Sequence, residues 1–149
     1  GLDGERTMVE VKDGARLAGR CLCGAVTFTA VPQGGMHACH CQSCRRISGG
    51  VSLSVNCGDS VAVSGPVATY ESSEWAERQF CPTCGSGLFW RLKAGGMTMV
   101  SIQTFDDPAV FAFEDEIYID SKPANYDFAG DRPRLTGAEV EAMYAPNEN

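Results

Sequence analysis

Apolar and polar residues alternate along most of this chain instead of recurring every third or fourth position. Residues 25–31, 51–55, 60–63, 87–92, 97–103 and 116–120 each send successive side chains to opposite faces, the period of a half-buried strand. Gly49-Gly50, Gly65-Pro66, Gly95-Gly96 and Asp107-Pro108 punctuate these runs and predict turns. Helix signals are confined to two places. Thr136-Gly137-Ala138-Glu139 has the form of a capping box, with Leu135, Val140, Met143 and Tyr144 on one helical face expected to pack against a sheet. A second short helix is predicted over residues 42–47. The pattern thus predicts a mainly β domain of short antiparallel strands with one or two short helices.

The 149 residues, 44% of them hydrophobic, suffice for one core without disulfide staples. Residues 15–146 are read as a single domain, and residues 1–14 as an N-terminal segment. Its Gly1 start, ahead of a first Met at Met8, is expected of an expression remnant. Twelve basic against nineteen acidic residues leave a net charge of −7, which argues against nucleic acid and anionic membranes as partners. No apolar run approaches the roughly 20 residues that cross a bilayer, and a charged N-terminus does not suit a signal peptide. A soluble cytoplasmic protein is expected.

Eight cysteines change the picture. Cys21-Leu22-Cys23, Cys39-His40-Cys41-Gln42-Ser43-Cys44 and Cys81-Pro82-Thr83-Cys84 have the close spacing of metal ligands, and reducing surroundings would leave such thiols free for an ion such as Zn²⁺. Cys21 and Cys23, one residue apart on an extended segment, point the same way. Cys81 to Gly85 reads as a zinc knuckle. Together these two pairs make the closed four-sulfur set of a structural zinc. Cys39, Cys41 and Cys44 supply three ligands, the number found in catalytic zinc sites with an open fourth position. The competing readings are closure by Cys57, His37 or His40, and a redox-active Cys41 and Cys44 pair. His40, between two ligands, is expected to face away from the metal, and Cys57 to be a buried inert thiol.

The ordered set Gly19-x-Cys21-x-Cys23-Gly24-x-Val26, Cys39-His40-Cys41-x-x-Cys44-Arg45 and Phe80-Cys81-x-x-Cys84-Gly85-Ser86 resembles the glutathione-dependent formaldehyde-activating enzyme family, which also includes centromere protein V-like members. The likeness continues through Phe105-Asp106-Asp107-Pro108 and Ile117-Tyr118 to Ser121-Lys122-Pro123. It implies a β-tent fold, a structural zinc on Cys21, Cys23, Cys81 and Cys84, and a catalytic zinc on Cys39, Cys41 and Cys44. The implied activity is that of a carbon–sulfur lyase joining glutathione to formaldehyde. The chain departs from the family pattern at Glu116, where His is frequent, and at Asn125-Tyr126, where Trp commonly follows Lys-Pro.

A thiol in an open zinc position is held as thiolate and can add to a small carbonyl. Three cysteine thiolates offset the +2 ion and leave about −1, which suits thiol capture better than peptide hydrolysis. Arg45 and Arg46, beside Cys44, are the nearest cations for the carboxylates of glutathione. Arg91, Lys93 and Lys122 are lesser candidates, and Phe89 and Trp90 are expected in the core. Two function classes follow: an enzyme acting on thiol adducts of small aldehydes, and a zinc-stabilised protein-binding module without activity. An open or closed fourth position on the middle cluster separates them.

Overall fold

The computed structural model describes residues 14–144, which form eleven short strands, two helices and three 3-10 turns. The described residues divide into two compact units: residues 14–35 with 55–112, and residues 36–54 with 113–144. Most of the expected N-terminal segment, residues 1–13, lies outside the described residues.

In the first unit, β1 (Leu17–Arg20), β2 (Thr27–Ala30) and β5 (Ala62–Ser64) form an antiparallel sheet in the order β1-β2-β5. β6 (Ala68–Tyr70), β7 (Ala76–Phe80), β8 (Gly87–Leu92) and β9 (Thr98–Ser101) follow as an antiparallel meander, each strand paired with the next. Phe28 lies at the centre of the core, edge-on to Phe89 at 5.3 Å and to Phe105 at 5.2 Å, and Phe105 meets Phe111 at 4.9 Å. Such edge-to-face contacts add to the burial of large rings. Phe89 is buried as expected, whereas Trp90 is only half-buried. Gly19 is required by close approach: a methyl at this position would lie 2.4 Å from Phe28 Cζ and 2.5 Å from the Thr104 carbonyl oxygen.

The second unit contains β3 (Met36–Cys39), α1 (Gln42–Ser48), the start of β4 (Ser52–Asn56), β10 (Phe113–Ile117), β11 (Arg134–Leu135) and α2 (Gly137–Tyr144). β3 pairs antiparallel with β4. Its partner on the other side, β10, runs parallel to β3, as does β11 to β10. A parallel pairing needs a long return connection, and residues 40–112 provide it.

Glu116, 1% exposed, anchors this unit. Its Oε1 lies 2.9 Å from His40 Nε2, and its Oε2 accepts from Arg132 Nη1 at 2.7 Å and Arg134 Nε at 3.0 Å. Burial alone would raise its pKa, but the hydrogen bonds from His40, Arg132 and Arg134 outweigh this and hold the carboxyl below its usual range. The two arginines also donate to the carbonyls of Phe128, Ala129 and Gly130 and so tie residues 128–134 to β10.

The expected capping box is present: Thr136 N donates to Glu139 Oε1 at 2.8 Å, and Glu139 N to Thr136 Oγ1 at 3.2 Å. The expected packing face is not. Leu135 belongs to β11, Val140 is buried, and Met143 and Tyr144 are 66% and 69% exposed, because this two-turn helix buries only Gly137 and Val140.

Two outcomes follow. Gly19→Ala is expected to lower stability by about 1–3 kcal/mol through overpacking, read as a shifted denaturant midpoint with an unchanged slope. Glu116→Gln is expected to cost about 3 kcal/mol near neutral pH, because it removes the buried charge that holds the half-buried Arg132 and the more exposed Arg134. The Glu116 contribution is complete above its unfolded pKa of 4.5 and is lost as pH falls through its lowered folded value. Urea midpoints measured from pH 7 downward should therefore fall less steeply for Glu116→Gln than for the wild type.

Candidate metal centres

Seven of the eight cysteines gather into two groups, Cys21 with Cys23, Cys81 and Cys84, and Cys39 with Cys41 and Cys44, and within each group the sulfurs lie within 4.8 Å of one another. Each group belongs wholly to one compact unit.

In the first group the turn after β1 carries Cys21 and Cys23, and the turn between β7 and β8 carries Cys81 and Cys84. The sulfurs of Cys21 and Cys23 are 3.7 Å apart and those of Cys23 and Cys81 are 3.8 Å apart. Four sulfurs around a zinc with bonds of about 2.3 Å would be separated by about 3.8 Å, so this donor set fits the ion. Backbone N–H groups aim at the sulfurs: Val26 N at Cys21 Sγ (3.3 Å), and Thr83 N and Cys84 N at Cys81 Sγ (3.4 Å each). Gly85 makes the knuckle turn with φ +80° and donates to the Cys81 carbonyl at 2.8 Å. The Ser86 hydroxyl, 3.2 Å from Cys84 Sγ, together with nearby backbone N–H groups, draws that thiol down to about 5. Desolvation opposes ionisation of Cys21, yet the Val26 N–H and its sulfur neighbours lower it. The Ala25 N–H favours a Cys23 thiolate, but desolvation and the adjacent sulfurs push this thiol up to about 11.

The second group sits where β3 runs into α1. Cys39 ends the strand, Cys41 caps the helix, and Cys44 lies in its first turn, with Cys44 N donating to Cys41 Sγ at 3.3 Å. All three are half-buried. The neighbouring thiols of Cys39 and Cys44 and the N–H groups of Cys44 and Ser43 draw Cys41 down to about 2, while Cys39 is pushed up by Cys41 and Cys44. Cys41 is drawn toward thiolate while Cys39 is held protonated, the division that crowded like charges adopt unless a cation lies among them. Three convergent soft donors therefore fit a zinc ion as well.

Among the described residues no fourth Cys, His, Asp or Glu joins this set. His40 faces Glu116, with its Nδ1 buried and without a hydrogen-bond partner. His37 Nδ1 lies 2.8 Å from Asp115 Oδ1. Cys57 is fully buried in the first unit, its thiol pushed up to about 12 by burial, and belongs to neither group. Arg45 is half-buried with its Nε buried and unpartnered, and Arg46 is exposed. Arg91 pairs with Glu77, Lys93 with Glu71 and Lys122 with Asp127. Sequence reasoning missed the Glu116 cluster because its four members are spread over residues 40–134.

If the first group encloses its ion with four thiolates and the second with three, mild chelation of the zinc-loaded protein should remove one equivalent while the circular dichroism of the fold is kept. Cys81→Ser or Cys84→Ser is expected to be severely destabilising, against a structural site worth on the order of 10 kcal/mol. Cys44→Ser should cost far less, and thermal melts would show this ranking.

Comparison with known proteins agrees with this geometry. Residues 16–121 match the family described as glutathione-dependent formaldehyde-activating enzyme. An uncharacterized lyase of Schizosaccharomyces pombe is 32% identical over 126 residues, covering 82% of this chain and 92% of that protein. A crystal structure of a Rhodobacter sphaeroides protein aligns with a TM-score of 0.53 at 21% identity, over 60% of this chain and 88% of that one, a likeness of fold. With a match that runs through both cysteine groups, the chain belongs to the glutathione-dependent formaldehyde-activating enzyme family.

Proposed function

We propose that this protein is a zinc-dependent carbon–sulfur lyase that forms or cleaves the adduct of glutathione, or a similar thiol, with formaldehyde or another small aldehyde. The observation that carries the reading is the contrast between the two sulfur groups, one complete with four donors and the other offering three half-buried donors. The lyase name of the fungal relative and the family description favour the same chemistry. In this reading the protein holds two zinc ions, a structural one on Cys21, Cys23, Cys81 and Cys84 and a catalytic one on Cys39, Cys41 and Cys44.

A zinc ion on the three-cysteine set would keep an added thiol as thiolate near neutral pH. The protein's own contribution is placement. Cys41 at the helix cap and Cys44 one turn on fix the sulfurs against the end of β3, and in this reading the fourth position takes the thiol. Arg45 follows Cys44 directly, and its unpartnered Nε suits a carboxylate of glutathione, with Arg46 available at the surface for a second. The substrate sulfur then adds to the carbonyl carbon, the carbonyl π pair moves to oxygen, and that oxygen takes a proton in place of the one the thiol released. Cleavage is the reverse.

Titrating glutathione into the cobalt-substituted protein tests the reading, since a fourth sulfur in the metal's coordination changes its visible spectrum. Arg45→Ala with Arg46→Ala should weaken glutathione binding by about 1–3 kcal/mol while both metals stay bound. A small monothiol lacking carboxylates should respond equally in both proteins. A spectrum unmoved by millimolar glutathione would favour the zinc-stabilised binding module.

A further inference from the structure

Burial alternates across the start of the three-cysteine group. Ala38 and His40 are buried, whereas Cys39 and Cys41 are half-buried, so the thiols and the imidazole leave the chain on opposite sides. Glu116 stands on the imidazole's side, opposite Ala38 in the pairing of β3 with β10. Consecutive residues of β10 thereby hold His40 twice. Glu116 Oε1 lies 2.9 Å from its Nε2, and the Ile117 carbonyl accepts its N–H at 3.0 Å.

Among the described residues the Glu116 contact is the ring's one hydrogen bond, since Nδ1 is buried without a partner. Tyr126 and Phe128 pack on the imidazole with ring centroids 6.4 and 6.1 Å away, tilted contacts that confine the ring without a directed bond. The carboxylate itself divides its contacts. Oε1 meets His40, while Oε2 accepts from Arg132 at 2.7 Å and from Arg134 at 3.0 Å. The arginines require charge of residue 116, whereas His40 requires a hydrogen-bonding partner.

We propose that Glu116 is a positioning residue of the three-cysteine centre: acting through His40, it fixes the Cys39 and Cys41 sulfurs relative to each other and so sets how firmly that centre holds its metal. The inference rests on the reading of these cysteines as a zinc centre. Groups behind metal ligands orient them, and losing one weakens metal binding about 10- to 100-fold. Here the oriented residue lies between two ligands, so its movement displaces both. Cys44, the third, takes its place from the first turn of α1, where its N–H donates to Cys41 Sγ. With three sulfurs in place of four, this centre depends more on the placement of each. His40, Arg132 and Arg134 all belong to the second unit, so the four-cysteine centre of the first serves as an internal reference.

Zinc release from the loaded protein to a chromophoric chelator tests this, with circular dichroism confirming that each variant is folded. His40→Leu removes the imidazole's bond and leaves Glu116 on its arginines, and Glu116→Leu removes the same bond from the other side. Each is expected to speed release from the three-cysteine centre about 10- to 100-fold, with the four-cysteine centre within about threefold of wild type. Glu116→Gln loses the charge but keeps an amide within reach of His40, so its release should stay within about threefold of wild type despite lower stability. A merely structural role would not separate metal retention from stability in this way. The sulfur-to-metal charge-transfer band of the cobalt-substituted protein should shift in the leucine variants and hold in Glu116→Gln. One folded leucine variant suffices. Wild-type release from it overturns the inference, as does release from Glu116→Gln as fast as from Glu116→Leu, since retention would then follow stability. Failure of both leucine variants to fold also overturns it, because the contact would then serve the fold. A wild-type protein that binds a single zinc overturns the zinc-centre reading and this inference with it.

Discussion

Sulfur atoms packed within 4.8 Å of one another cannot all carry charge unless a cation lies among them, and this protein contains two such groups. Without the cation, each group divides into thiolates and protonated neighbours, as the opposite displacements of Cys41 and Cys39 show. With it, repulsion becomes attraction. Cys21 and Cys23 are then held to Cys81 and Cys84, more than fifty residues further along the chain. A unit built from strands of three to six residues gains much from such a link, since each strand contributes few ladder hydrogen bonds of its own.

The second unit meets a related problem with a carboxylate. Glu116 is buried where an isolated charge would be prohibitive, and three donors from His40, Arg132 and Arg134 make it tolerable. Because His40 stands between Cys39 and Cys41, the same contact that satisfies the carboxylate also turns the imidazole toward β10. The arginines extend the effect to residues 128–130 through their carbonyls. The Glu116 that departs from the family pattern is thus part of the scaffold on which the three-cysteine group stands.

Differences in donor number give the two sulfur groups different chemical prospects. Four sulfurs complete a tetrahedron, and the N–H groups around them reinforce the anionic form. Three sulfurs at a strand-to-helix junction stop short of that. Arg45, with a buried nitrogen lacking a partner, directly follows Cys44 of this three-sulfur group and so adds positive charge beside it in the chain.

Much of this was legible in the sequence because the information is local. Metal-ligand spacing of two to five residues is a property of turns and short strands, so Cys21 to Cys23, Cys39 to Cys44 and Cys81 to Cys84 each announced themselves. The Thr136 to Glu139 capping box is equally local and formed as read. Strands 17–20, 36–39, 68–70 and 76–80 were not read, because three to five residues are too few to establish a period. Tertiary structure alone decided the rest. It directed His40 to Glu116 and left Met143 and Tyr144 exposed on a helix with too few turns to bury them. It also brought Arg132 and Arg134 onto one carboxylate and placed Tyr118 over Gly137. In each of these the partners come from different elements, and burial and pairing between such elements have no period in the chain from which they could be read.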